Sequence, residues 1–110
     1  MEHLLPKTFK NLSDTVASVV DKFFIARKIQ SMKEGEYLAE CDYDKVTCSE
    51  YLEKVNKAFS KLNERERNLI NNEFFFQSYH YWWESIYSKA TFYRYKKRAM
   101  RKFLEAFYYD

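Results

Sequence analysis

A chain of 110 residues with 46% apolar residues is long enough for one domain with a real core. One Gly and one Pro leave too little turn material for an all-β fold, whose hairpins need residues at positive φ. The net charge of +3 hides an asymmetry: residues 1–87 carry twelve bases and fourteen acids, whereas residues 88–110 carry seven bases and two acids.

A weakly acidic body with a basic C-terminal end is the layout of a protein that meets a polyanion with one element. Aromatics at 20%, with ten Tyr and ten Phe, predict a core built from rings, some of which remain exposed. Cys41 and Cys48 form no CxxC, which argues against a disulfide framework and for reduced thiols in the cytoplasm. With two His besides, no zinc spacing is present and no metal is expected. The N-terminus, MEHLLPKTFK, is too polar for a signal peptide, and no stretch approaches the length of a membrane span. Enzymatic readings fare badly. A phosphate-cradling loop needs several glycines, no nucleophile–base set stands out, and no cofactor is implied.

The spacing predicts an all-α chain. Residues 1–12 read as a lead-in broken by Pro6. Ser13 or Asp14 is placed to cap a first helix running to about Glu34, with Gly35 as its stop. Val16, Val19, Val20, Phe23, Ile25 and Ile29 give it a broad apolar side. That breadth implies burial against the rest of the chain or pairing with a second copy in a homodimer. Residues 36–48 hold four acids and no clear period, with room for a helical turn near Tyr37 to Cys41. They read as a connector between an N-terminal part, 1–48, and a compact part, 49–110.

Ser49 or Thr47 is the expected cap of the next helix, in which Tyr51, Leu52, Val55, Ala58, Phe59 and Leu62 keep helical spacing. Asn63 then starts another, with Glu66 three residues on as in a capping box, and this helix is expected to reach Phe76. Three consecutive rings, Phe74 to Phe76, cannot share one helical face, so at least one should lie at a surface. Residues 77–79 connect to a short helix over His80–Ile86. Trp82 and Trp83 read as core, and His80 as structural.

Tyr87 turns the chain into a basic helix, 88–107, with Ser88 as N-cap. Phe92, Tyr95, Ala99, Phe103 and Ala106 lie on one stripe, and Lys89, Tyr93, Arg94, Lys97 and Arg101 point the other way. Lys96, Arg98, Arg101 and Lys102 wrap around the helix, so some of them must face solvent or pair with acids of the body.

The order of these pieces resembles a known family. Leu62–Ile70, LNERERNLI, looks like the L-P-x-R-E-R-x-x-I segment of the fourth conserved region of bacterial sigma factors. About twenty residues later, WWESIYSKATFYRYKKRAMRKF looks like the helix-turn-helix of that domain, matched at Glu84, Ser88, Thr91, Arg94, Arg98, Ala99, Lys102 and Phe103. Paired aromatics bring it closest to ArpU-type phage regulators and to a small family of mycoplasmas and relatives. The likeness covers residues 50–107 and leaves out the first helix. Ile86 departs from the pattern, standing where the family has a turn Gly.

The resemblance implies a sigma-region-4-like helix-turn-helix, transcription regulation and contact with RNA polymerase. At this length, a separate promoter-melting domain does not fit beside it, so a regulator is expected rather than a complete sigma factor. In such a motif the second helix enters the major groove of double-stranded DNA. The candidate DNA-binding residues are Ser88, Lys89, Ala90, Thr91, Tyr93, Arg94, Lys97, Arg98 and Arg101. Arg94 is suited to O6 and N7 of guanine, Ala90 leaves room for a thymine methyl, and Ser88 and Thr91 can meet phosphate. Two rivals stand beside this reading: a helical protein-interaction module without DNA binding, and single-stranded nucleic acid binding through basic and aromatic residues.

Overall fold

A computed structural model describes residues 5–32 and 45–109, and they form an all-α bundle. The helices are α1 (Phe9–Gln30), α2 (Lys45–Ser60), α3 (Glu64–Ile70) and α4 (Lys89–Tyr109), with a π-helical turn, Asn71–Phe75, continuing α3. No described residue is in a strand.

The first helix begins five or six residues earlier than the caps Ser13 and Asp14 implied. Thr8 accepts a hydrogen bond from the Asn11 backbone N–H at 3.1 Å and is the true cap. Phe9 and Leu12 extend the apolar spacing back to it. Asp14 instead pairs with Lys10 at 2.8 Å on the exposed side. The helix ends at Gln30, short of Glu34, and Gly35 and residues 36–44 of the acidic connector lie outside the described residues. Leu12, Val16, Val19, Val20 and Phe23 join one core with Val55, Ala58, Leu62, Leu69, Ile70, Phe92, Phe103 and Leu104. So α1 folds back onto the rest of the chain, and Tyr51 of α2 donates its hydroxyl to the Val19 carbonyl at 2.7 Å.

Thr47 and Ser49 are not caps, because α2 already includes Lys45. The capping box at Asn63 forms as expected. Asn63 Oδ1 accepts from the Glu66 N–H and Glu66 Oε1 accepts from the Asn63 N–H, each at 2.8 Å.

Beyond Ile70 the helix widens instead of continuing as α, and the Phe76 N–H reaches back five residues to the Asn71 carbonyl at 2.7 Å. Phe74 is buried and Phe75 half-buried, its ring meeting Phe23, Phe24 and Phe59 edge-on at 5.3, 6.0 and 5.8 Å. Phe76 is left 73% exposed, the surface ring that the three consecutive aromatics required.

The short helix expected over His80–Ile86 does not form. The N–H groups of Trp82, Glu84 and Ile86 bond to carbonyls three residues back, which makes a run of tight turns. Seven residues form a marginal helix by themselves, and here tertiary contacts prevail. The Trp82 indole N–H donates to Glu73 at 2.7 Å, and the Trp83 ring packs on Phe92. Ile86 does not need positive φ in this turn; Gln77, at 49°, is the non-glycine residue that takes it among those described.

Candidate nucleic-acid interface

Ser88 starts α4 as the sequence implies. Its Oγ accepts from the Thr91 N–H at 3.2 Å and donates to Thr91 Oγ1 at 2.9 Å. The Lys89 and Ala90 N–H groups, which open the first turn, precede the first intrahelical bond, made by the Phe92 N–H to the Ser88 carbonyl at 2.9 Å. On α4, Phe92, Ala99, Met100, Phe103, Leu104 and Phe107 are buried. Tyr95 and Ala106, expected in the core stripe, are half-buried, so the inward face is turned toward Met100, Leu104 and Phe107.

That rotation redistributes the bases. At about 100° per residue, Ala90, Arg94, Arg98 and Arg101 fall in one sector about 80° wide, opposite Phe92, Ala99 and Phe103, with Lys97 on its edge toward the direction of Leu104. All five are exposed. Among the described residues, no carboxylate lies within ion-pair distance of the four cations. Lys89 and Tyr93 lie toward the other flank. Lys89 is exposed at the helix start, and Tyr93 rests edge-on against Phe9 at 5.3 Å and Trp83 at 6.3 Å. Tyr93 is thus a boundary residue between core and face. Glu105, the acid of α4, comes one turn after Arg101.

Two further bases serve the fold. Lys96 is 13% exposed and donates to Glu73 at 2.5 Å, with its ammonium 5.4 Å from the ring centres of Phe9 and Phe74. Lys102 lies 3.7 Å from the buried Glu66 carboxylate. The acids of the body therefore take the lysines on the inward flanks and leave the outward face charged. On α1, Lys10 donates to Asp14, and that bond with the carboxylate's charge raises the ammonium pKa above its ordinary value.

Sequence reasoning missed Arg65. It sits on α3, and its guanidinium lies 4.6 Å from the Tyr95 ring centre, beside Arg94 at 5.5 Å and Arg98 at 5.9 Å. The sequence signal was the Glu-Arg-Glu-Arg run after Asn63, but only the packing of α3 on α4 brings Arg65 to Tyr95. No protein-family model, curated protein or solved structure matches the chain.

Proposed function

We propose that the chain binds double-stranded DNA with α4 in the major groove and acts as a transcription regulator. The observation that carries this reading is the outward face of Arg94, Lys97, Arg98 and Arg101, which is exposed and unmatched by acids among the described residues. A 21-residue helix, about 31 Å long, is long enough to lie across a groove about 12 Å wide. Ala90, exposed on this face in the first turn of α4, would face base edges, and Lys97 and Arg101 would meet phosphates. The Lys89 and Ala90 N–H groups would meet a phosphate at the start of α4. The test is titration of mixed-sequence duplex at two salt concentrations. Lys97→Ala with Arg101→Ala should lower the salt slope by about 2, one for each phosphate no longer neutralised. An unchanged slope would mean that DNA does not lie along α4.

A second reading, pairing of two copies through α1, is favoured by Ile25, which is 45% exposed beside a groove of about 330 Å³ lined by Lys22, Ala26, Thr47, Cys48 and Tyr51. Sedimentation equilibrium of the wild type and of Ile25→Glu separates the two. A dimer abolished by the substitution supports the pairing, and a monomer in both removes it.

A further inference from the structure

Tyr95 gathers three guanidinium groups from two elements: Arg65 on α3, and Arg94 and Arg98 on α4, at 4.6, 5.5 and 5.9 Å from its ring centre. Tyr87 meets the same ring in an edge-on contact at 5.6 Å. Bringing like charges together costs energy, and the quadrupole of one ring offsets only part of it. Nearby acids do not complete the compensation. Glu64 borders the same shallow hollow as Arg65, Asn68 and Tyr87, yet no described carboxylate lies within 4.0 Å of the three arginines. Each guanidinium has five N–H donors in a planar fork, and a cation–ring contact uses none of them up as a hydrogen bond to an acid.

We infer that Arg65, Arg94 and Arg98, held on Tyr95, form a clamp for a single phosphate group, namely a backbone phosphodiester of the DNA strand flanking α4. This rests on the DNA-binding reading and deepens it. Arg98 and Tyr95 lie on the α3-ward flank of the outward face, where a helix seated in the groove meets one strand. Arg65 adds a contact from outside the recognition helix. The clamp positions the protein on duplex without reading sequence.

The test uses the full chain with two probes: a mixed-sequence duplex and inorganic phosphate. Replacing Arg65, Arg94 and Arg98 together by Ala should lower the salt slope of duplex binding by about 1, for the one phosphate they share, so that the wild type's advantage shrinks about three- to fourfold between 50 and 200 mM salt. Arg65→Lys should keep most of the slope, and Lys57→Ala, an exposed base on α2, should leave it unchanged. If the wild type binds duplex and the triple variant keeps its slope, or loses about 3 because each arginine held a separate phosphate, the clamp is overturned while the groove reading stands. If the wild type fails to bind duplex, the groove reading falls and phosphate decides the clamp. Arginine Nε–H resonances of residues 65, 94 and 98 that shift together with phosphate, and no longer do so in Arg65→Ala, retain it as an anion site. No shift overturns it.

Discussion

Trp83 lies flat on Phe92, with ring centroids 4.3 Å apart and planes 9° from parallel. Phe92 is in the first turn of α4, and Trp83 is in the run of tight turns before it. The stack therefore fastens an irregular segment to the start of the basic helix. Trp82 adds an edge-on contact to the same ring at 6.1 Å and donates to Glu73. A parallel, close pair of rings contributes beyond the area it buries. Trp83→Ala should cost about 3–5 kcal/mol in urea unfolding, as large core truncations do. Tyr81→Ala, at an exposed neighbour, should stay within about 0.5 kcal/mol. Equal, small losses would show that the stack does not hold this segment.

Lys96 and Lys97 are adjacent and should behave oppositely. Lys96→Met removes a charge-assisted hydrogen bond to half-buried Glu73 and should lose about 1.5–3 kcal/mol of stability, with the salt slope of duplex binding kept. Lys97→Ala should keep the stability and lose about 1 in slope. Denaturation and salt titration on the same two proteins check both halves.

The turn between α2 and α3 rests on the reciprocal bonds of Asn63 and Glu66. Asn63→Ala should cost about 1 kcal/mol. Glu66→Gln keeps an acceptor for the Asn63 N–H and gives up the charge facing Lys102, so it should be milder than Glu66→Ala. The order of the three midpoints in urea is the readout, and a Glu66→Gln loss as large as that of Glu66→Ala would place the value in the charge.

Arg94 is expected to hold phosphate, because its guanidinium shares the Tyr95 ring with Arg65 and Arg98. Arg94→Lys should then weaken a selected site and scrambled duplex equally. A loss of about 1–3 kcal/mol confined to the selected site would instead assign Arg94 to guanine.

A chain starting at Lys45 should lose cooperative unfolding and bind a hydrophobic dye. Leu12 and Val16 are fully buried in the core shared with α2, α3 and α4, and removing α1 uncovers that surface. A stable, cooperatively unfolding domain from residue 45 onward would make α1 an appendage.

Local chemistry was legible in the residues themselves. Helical spacing, the scarcity of Gly and Pro, the Asn63–Glu66 box and the Ser88 cap each act within a few residues, so the all-α class and the element boundaries near them follow from sequence. The seven bases of residues 88–102 were also legible. Tertiary structure decided what depends on neighbours distant in sequence. Glu73 draws Trp82 and Lys96 inward, and the residues before α4 become turns instead of a helix. Packing rotates α4 toward Met100 and Leu104, which moves Tyr93 to the boundary and Arg98 into the outward face. Arg65 and Tyr95 are thirty residues apart, and no periodicity links them. They meet because α3 packs on α4, where a cation and a ring face gain from contact that neither helix specifies alone.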